Sequence, residues 1–148
     1  MSKKIFIVYG HHNTKKSFNA SIRDTFIDEA KKLDYQIDLI NLHDEKPLPF
    51  FDGTGPNDQI LDYRRRLEES DILFMISPCY NLRATAILEN WIDLTLAPKW
   101  FFSFKRLVGN WGYPVAGAMK NKRLLCQCHM VEIGFQFRPG FKIYHLEE

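Results

Sequence analysis

Unbroken apolar runs mark strands buried on both faces. One such run spans Ile5 to Tyr9 and stops at Gly10, and another spans Asp71 to Ser77 (DILFMIS) and stops at Pro78. Tyr35 to Leu42 alternates at its start, Ile37 and Leu39 to one side and Gln36 and Asp38 to the other, as expected of a half-exposed edge strand. Lys122 to Cys128 (KRLLCQC) reads as a fourth strand. Helical spacing separates these runs. Phe18, Ile22, Phe26, Ala30 and Leu33 fall on one face of a helix from about Phe18 to Leu33, with Arg23, Asp24, Asp28 and Lys31 off it and Ser17 as cap. A second helix starts near Asn57 or Asp58 and runs to Glu69, with Ile60, Leu61 and Leu67 inward. A third starts at Ala84 or Thr85, buries Ile87, Leu88, Trp91, Ile92 and Leu96, and ends at Pro98. This alternation of strand and helix predicts a parallel sheet with helices on both faces, in one α/β domain over residues 1–148.

The remaining segments are less regular. His43 to Pro56 is a loop in which Phe50 and Phe51 are expected to fold back onto the body. Trp100 to Phe104 (WFFSF) is too aromatic for a free linker, and Asn110 to Asn121, with Gly112, Pro114 and Gly117, reads as an irregular loop. From His129 the chain is an atypical tail. Phe141 to Leu146 (FKIYHL) has the composition of a fifth strand, or of an irregular edge, because Met130 to Gly140 leaves no room for a crossover helix.

Composition narrows the function. The net charge of +2, with dispersed basic residues, argues against a nucleic-acid-binding role. The run Arg64 to Arg66 reads as a solvated helix face. No apolar run approaches the ~20 residues of a membrane span. The start of the chain, MSKKIFIVYG, lacks a signal-peptide cleavage site, and three cysteines, with Cys126 and Cys128 two apart, suit a reducing cytoplasm.

Open parallel sheets bind ligands beyond the carboxyl ends of their strands, where strand order reverses. Two loops meet that description: His11 to Ser17 after the first strand and Pro78 to Thr85 after the third. The first is neither a Walker loop nor GxGxxG, but it offers Asn13, Thr14, Ser17, Lys15 and Lys16 at a helix N-terminus, adequate for one phosphate group or for an ordinary capped loop. Two other constellations stay open. Cys79 with His12 and His129 could form a thiol nucleophile, and His11, His12, Cys126, Cys128 and His129 could gather a zinc ion, although their spacing matches no finger pattern.

The stretch KIFIVYGHHNTKKSFNASI resembles the opening of the flavodoxin-like NAD(P)H:quinone oxidoreductases, with a strand, a His and the signature Ser-Phe-Asn. SDILFMISPCYNLRATAILENWID resembles their second signature, and NLHDEKPLPFFD and MKNKRLL resemble intermediate segments, so the likeness covers Lys3 to Leu125. It implies a flavodoxin-like three-layer sandwich with strand order 2-1-3-4. It also implies a cytoplasmic homodimeric enzyme that uses FMN, rather than FAD, to pass two electrons from NAD(P)H to a quinone or similar acceptor. By position, His12, Ser17, Phe18 and Asn19 would hold the flavin phosphate and ribityl chain, and Pro78, Cys79, Tyr80, Asn81 and Leu82 would line its ring. WFFSF would help to wall the site.

The chain departs from this pattern in places. Asn81 stands where the family has an aromatic and Thr85 where it has a proline. Gln127, Cys128, His129 and Met130 stand where it has a Thr-Thr-Gly-Gly loop, with no glycine until Gly134, and its last helix and strand have no counterpart. These departures define the alternative: a non-catalytic or regulatory flavodoxin-like module with a degenerate flavin site.

Overall fold

Ile5–Tyr9, the most apolar run, takes a central place in the sheet. The computed structural model describes residues 2–50, 52–109, 111–118, 120–130 and 143–144. Phe51, Gly134 and most of the tail that sequence analysis singled out lie outside the described residues. Strand β1 (Lys4–Tyr9) leads to α1 (Phe18–Lys32), β2 (Gln36–Asn41), α2 (Asp58–Glu68), β3 (Ile72–Cys79) and α3 (Ala86–Thr95). The chain continues through β4 (Phe102–Val108), β5 (Trp111–Ala116), β6 (Arg123–Met130) and β7 (Ile143–Tyr144). The main sheet has the order β2-β1-β3-β6-β7, its first four strands parallel and β7 antiparallel to β6. The expected order therefore holds, with β6 as the fourth strand. The tail returns to the edge as an antiparallel strand, the arrangement that needs no crossover helix.

Alternation along the strands separates two cores. Ile5, Ile7, Tyr9, Phe74 and Ile76 pack with Ala20 and Ala30 of α1 on one face. Phe6, Val8, Leu73 and Met75 pack with Tyr63 and Leu67 of α2 and Leu88 and Trp91 of α3 on the other. The result is a three-layer α/β sandwich, as expected.

Four details differ from the sequence reading. In α1, Phe18 and Leu33 are exposed whereas Arg23 is buried, because its guanidinium lies 4.6 Å over the Tyr9 ring and donates to Asn41 Oδ1 at 3.2 Å. In α2, Tyr63 takes the inward position and Leu61 stays exposed. Phe50 does not fold back and is 84% exposed. Finally, Asn110–Asn121 is not an irregular loop through its length: Trp111–Ala116 pairs antiparallel with Phe102–Val108 as a separate hairpin. Gly117 is required beside it, since a Cβ there would sit 2.4 Å from the Trp100 carbonyl oxygen.

Two of the three consecutive arginines are joints rather than solvated charges. Arg64 donates to the carbonyls of Leu94 and Thr95, each at 3.0 Å, and so caps the end of α3. Arg66 forks onto Asp38 of β2, Nε lying 3.1 Å from Oδ1, and stacks 5.0 Å over Phe6. Arg65 alone faces solvent, paired to Asp62 and Glu69. Burial pushes the Asp38 carboxyl up, but Arg66 and Lys4 outweigh that effect and hold it below its ordinary value. A carboxylate with a depressed folded pKa adds stability above its unfolded pKa of about 4. That stability is lost as pH falls through the folded value. Each side chain is 18% exposed. Arg66→Ala is therefore expected to cost about 2 kcal/mol at pH 7, less than a fully buried pair would. Urea unfolding of wild type and Arg66→Ala at neutral and acid pH checks this. The gap between them should narrow below about pH 4, and a constant gap would contradict the assignment.

Candidate functional site

Strands β1 and β3 are parallel neighbours, and the sheet order reverses between them, so their following loops meet at one edge. Gly10 begins the first loop, and its N–H donates to the Ile76 carbonyl at 2.8 Å. Buried Thr85 joins the loops: its hydroxyl donates to the Gly10 carbonyl at 2.6 Å, and its N–H donates to Ser77 Oγ at 3.1 Å. Ser77 in turn donates to the Pro78 carbonyl at 2.8 Å. A Cβ at Gly10 would lie 3.0 Å from Leu88 Cβ and 3.1 Å from Thr85 Oγ1, so a side chain there would require these neighbours to give by a few tenths of an ångström. Sequence reasoning missed this lock. Its only signal was a threonine in the place of the family's proline.

The first loop is folded around its own side chains. Asn13 Oδ1 accepts from the N–H of Lys16 at 2.8 Å and of Lys15 at 3.2 Å, and His11 Nδ1 accepts from Asn13 N–H at 2.8 Å. Buried Tyr9 donates its hydroxyl to the Asn13 carbonyl at 3.0 Å and lies 2.9 Å from Ser17 Oγ. Ser17, in extended backbone, caps α1 by accepting from Ala20 N–H at 3.0 Å. Among the described residues, the amides of Thr14, Ser17 and Asn19 find no acceptor within the chain. Asn19 is 3% exposed, and its Oδ1 has no hydrogen-bond partner among the described residues. Free N–H groups, the positive end of the helix dipole, and Lys15 and Lys16 make this corner suited to an anion.

His12 is exposed and stacks on His11, ring centroids 4.4 Å apart, with His43 of the β2–α2 loop edge-on at 6.4 Å. Burial, then the neighbouring His12, push His11 below its ordinary value, so it is neutral at pH 7 and able to accept from Asn13. Phe18 lies exposed at the start of α1.

The second loop holds the other expected residues. Pro78 does not end β3 but lies within it, paired with His129 and beyond the last β1 pair, Tyr9 with Ile76. The residues after it form a tight turn, Tyr80 N–H donating to the Arg83 carbonyl at 2.8 Å and Arg83 N–H to the Tyr80 carbonyl at 3.1 Å. Both central residues have positive φ, 51° at Asn81 and 64° at Leu82, the signature of a type I′ turn. Asparagine tolerates that region, whereas leucine is strained in it. Leu82 is also 81% exposed, so the strain serves no packing within the chain. Leu82→Gly should raise stability by about 0.5–1 kcal/mol in chemical denaturation, the relief of strain exceeding glycine's entropic cost. A loss of stability would contradict this description of the turn.

Gln127, Cys128, His129 and Met130 do not form a loop but extend β6, in register with Ile76, Ser77, Pro78 and Cys79. All three cysteines are free, Cys79 half-buried and the other two exposed. Local desolvation and the neighbouring Cys79 thiol push Cys128 up to about 12, so that residue carries no thiolate at neutral pH. His12 packs against His11 and His43. Among the described residues, no cluster of His, Cys, Asp or Glu is arranged to hold a metal ion. No described helix is long and apolar enough to cross a membrane.

The anion corner and the strained turn thus follow neighbouring strands at the switch point. On the two loops His12, Phe18, Tyr80, Asn81 and Leu82 are exposed. A family model described as flavodoxin-like fold matches residues 3–147. The chain is 25% identical to ribosyldihydronicotinamide dehydrogenase (quinone) of Rattus norvegicus, over 83% of this chain and 61% of that protein. It therefore spans about three-fifths of the length of that relative. Similar solved structures include an FMN-dependent NADH-azoreductase from Bacillus anthracis in complex with FMN, with a TM-score of 0.71 and 16% identity over 88% of this chain and 70% of that one. An NAD(P)H:quinone oxidoreductase from Methanothermobacter marburgensis gives 0.70 and 14%, over 90% of this chain and 70% of that one.

Proposed function

Since this chain belongs to the flavodoxin-like fold family, we propose that it is an FMN-dependent NAD(P)H oxidoreductase that passes two electrons to quinones or similar acceptors. The observation that carries this reading is the union, at the carboxyl ends of neighbouring strands, of a helix N-terminus with free amides and an exposed turn after β3. The names of its relatives supply the chemistry: a quinone dehydrogenase by sequence, an FMN-dependent NADH-azoreductase and a quinone oxidoreductase by fold. FMN, when bound, would supply the two-electron hydride chemistry.

The chain's residues would bind and orient. The amides of Thr14, Ser17 and Asn19, with Lys15, Lys16 and His12, would take the phosphate. Asn19 Oδ1, buried without a partner, would accept a hydrogen bond from the polar chain that leads to the ring. Pro78, Cys79, Tyr80, Asn81 and Leu82 would flank the ring. Thr85 ties the two loops together through the Gly10 carbonyl. The three free cysteines accord with a reducing, cytoplasmic setting.

The exposed residues of the two loops are covered, in this reading, by a second copy of the chain. The β4–β5 hairpin exposes Phe104, Leu107, Val108, Tyr113 and Trp111, the last 82% exposed. Apolar side chains concentrated on one hairpin mark an interaction surface. Trp111→Glu is expected to weaken the homodimer at least about thirtyfold while leaving the fold intact. Sedimentation across a dilution series would show this, and an unchanged dimer would exclude the hairpin as the interface.

Anaerobic stopped-flow tests the activity. Addition of NADH or NADPH should bleach the yellow of the FMN-loaded protein, and a quinone should restore it. The β6 extension through Met130, where the family has a glycine-rich loop, favours a second reading: a flavin-holding module without turnover. Retention of FMN with no bleaching would select that reading, and failure to take up FMN would remove both.

A further inference from the structure

On the face of the sheet opposite α1, the β2–α2 loop and the two helices enclose a separate cavity of about 240 Å³. Leu42 and Tyr63 in its lining are buried, Leu48 and Ile87 are half-buried, and Phe50 stands exposed beside them. The walls are clamped from both helices. Asn90 of α3 donates to the Pro49 carbonyl at 3.1 Å. Gln59 of α2 donates to the Lys46 carbonyl at 3.0 Å and to Tyr63 Oη at 2.8 Å. The cavity is therefore formed before any ligand arrives, and its boundaries come from side-chain bonds rather than from a loose loop.

Two charged side chains, Glu45 and Lys46, stand in this otherwise apolar lining, and Glu45 has acceptor positions to spare. Glu45 is half-buried, and among the described residues it receives one hydrogen bond, from the Tyr63 hydroxyl at 3.2 Å, and forms no ion pair. A carboxylate has room for about four donors. Arg66 acts on Glu45 electrostatically but, among the described residues, makes no ion pair with it, so those positions stay open to a donor. Burial pushes the Tyr63 hydroxyl up to about 12, so it stays protonated and can neither compete for a cation nor stop donating.

We propose that this cavity binds a small aromatic amine, its ring among Leu42, Leu48, Ile87 and Phe50 and its ammonium on Glu45. The size fits: a dry cavity of about 150 Å³ takes a single benzene, so this one takes one or two rings. The charge selects among molecules of that size. A neutral ring leaves Glu45 without a direct ion pair, and an anion gains nothing from it. The site is independent of the α1 corner and does not rest on FMN binding.

Tryptamine is the probe, titrated calorimetrically at pH 7 into the whole chain, with indole and indole-3-acetate as its neutral and anionic counterparts. Saturable tryptamine binding is expected, with indole at least about fivefold weaker and indole-3-acetate not binding. Glu45→Gln keeps an acceptor for Tyr63 and should lower tryptamine affinity at least about tenfold. Ile87→Trp fills the cavity and should abolish binding, with Ala86→Leu as a milder filler should the first variant fail to fold. No saturable binding up to about 10 mM tryptamine would overturn the proposal. Equal affinity for the three probes, or an unchanged affinity in Glu45→Gln, would overturn it equally.

Discussion

Replacing Ser17 and Asn19 together by alanine is expected to raise the Kd for FMN by about a hundredfold. Loss of the cap that presents the free amides and of one buried ligand hydrogen bond, at about 1–1.5 kcal/mol each, accounts for that size. Ser17 Oγ caps α1 through Ala20 N–H, so its loss loosens the turn that presents the free amides. Asn19 Oδ1 is buried without a partner among the described residues, so its removal takes away the group placed to meet a ligand and breaks no hydrogen bond of that oxygen within the fold. The structural cost should accordingly be confined to the cap, about 1 kcal/mol. Cys79→Ala, by contrast, should leave turnover nearly unchanged. If Cys79→Ala abolished activity while the double variant kept its flavin, a thiol-centred chemistry would replace this account.

Thr85→Val should cost about 2–3 kcal/mol in stability and weaken FMN binding at least about tenfold, with Thr85→Ser restoring both. Valine matches threonine in shape, so packing against Leu88 is kept and only the hydroxyl is removed. The Gly10 carbonyl then loses its buried donor, and Ser77 Oγ loses one neighbour. The backbone at Thr85, φ −64°, already suits proline. Thr85→Pro therefore tests whether the hydrogen bonds or the backbone shape set the loop spacing. A valine variant that lost stability but bound FMN normally would make Thr85 a purely structural residue.

The sheet was legible because its strands carry unambiguous periodicity. Ile5–Tyr9 and Ile72–Ser77 are apolar on both faces, and only an interior strand of a parallel sheet is covered on both. Ser17 was readable as a cap for the same local reason. Arg23 misled because charge alone placed it outside, whereas its guanidinium finds a tyrosine face and an asparagine oxygen inside. The β4–β5 hairpin was missed although Gly109–Asn110 between two aromatic runs is a two-residue hairpin signal. Glycine and proline inside Trp111–Ala116 obscured it, as residues that break most strands are tolerated in an exposed two-stranded ribbon. At the site, the individual residues of both loops could be read, but not the contacts between them. Gly10, Ser77 and Thr85 lie far apart in the chain, and only the fold shows that a single hydroxyl joins two strand ends.

Fluorescence titration with FMN and with riboflavin, side by side, tests the placement of a mononucleotide across these two loops. The account predicts that FMN quenches to a one-to-one end point and that riboflavin, which lacks the phosphate, binds at least about tenfold more weakly. Equal affinity for the two, or uptake of neither, would contradict it.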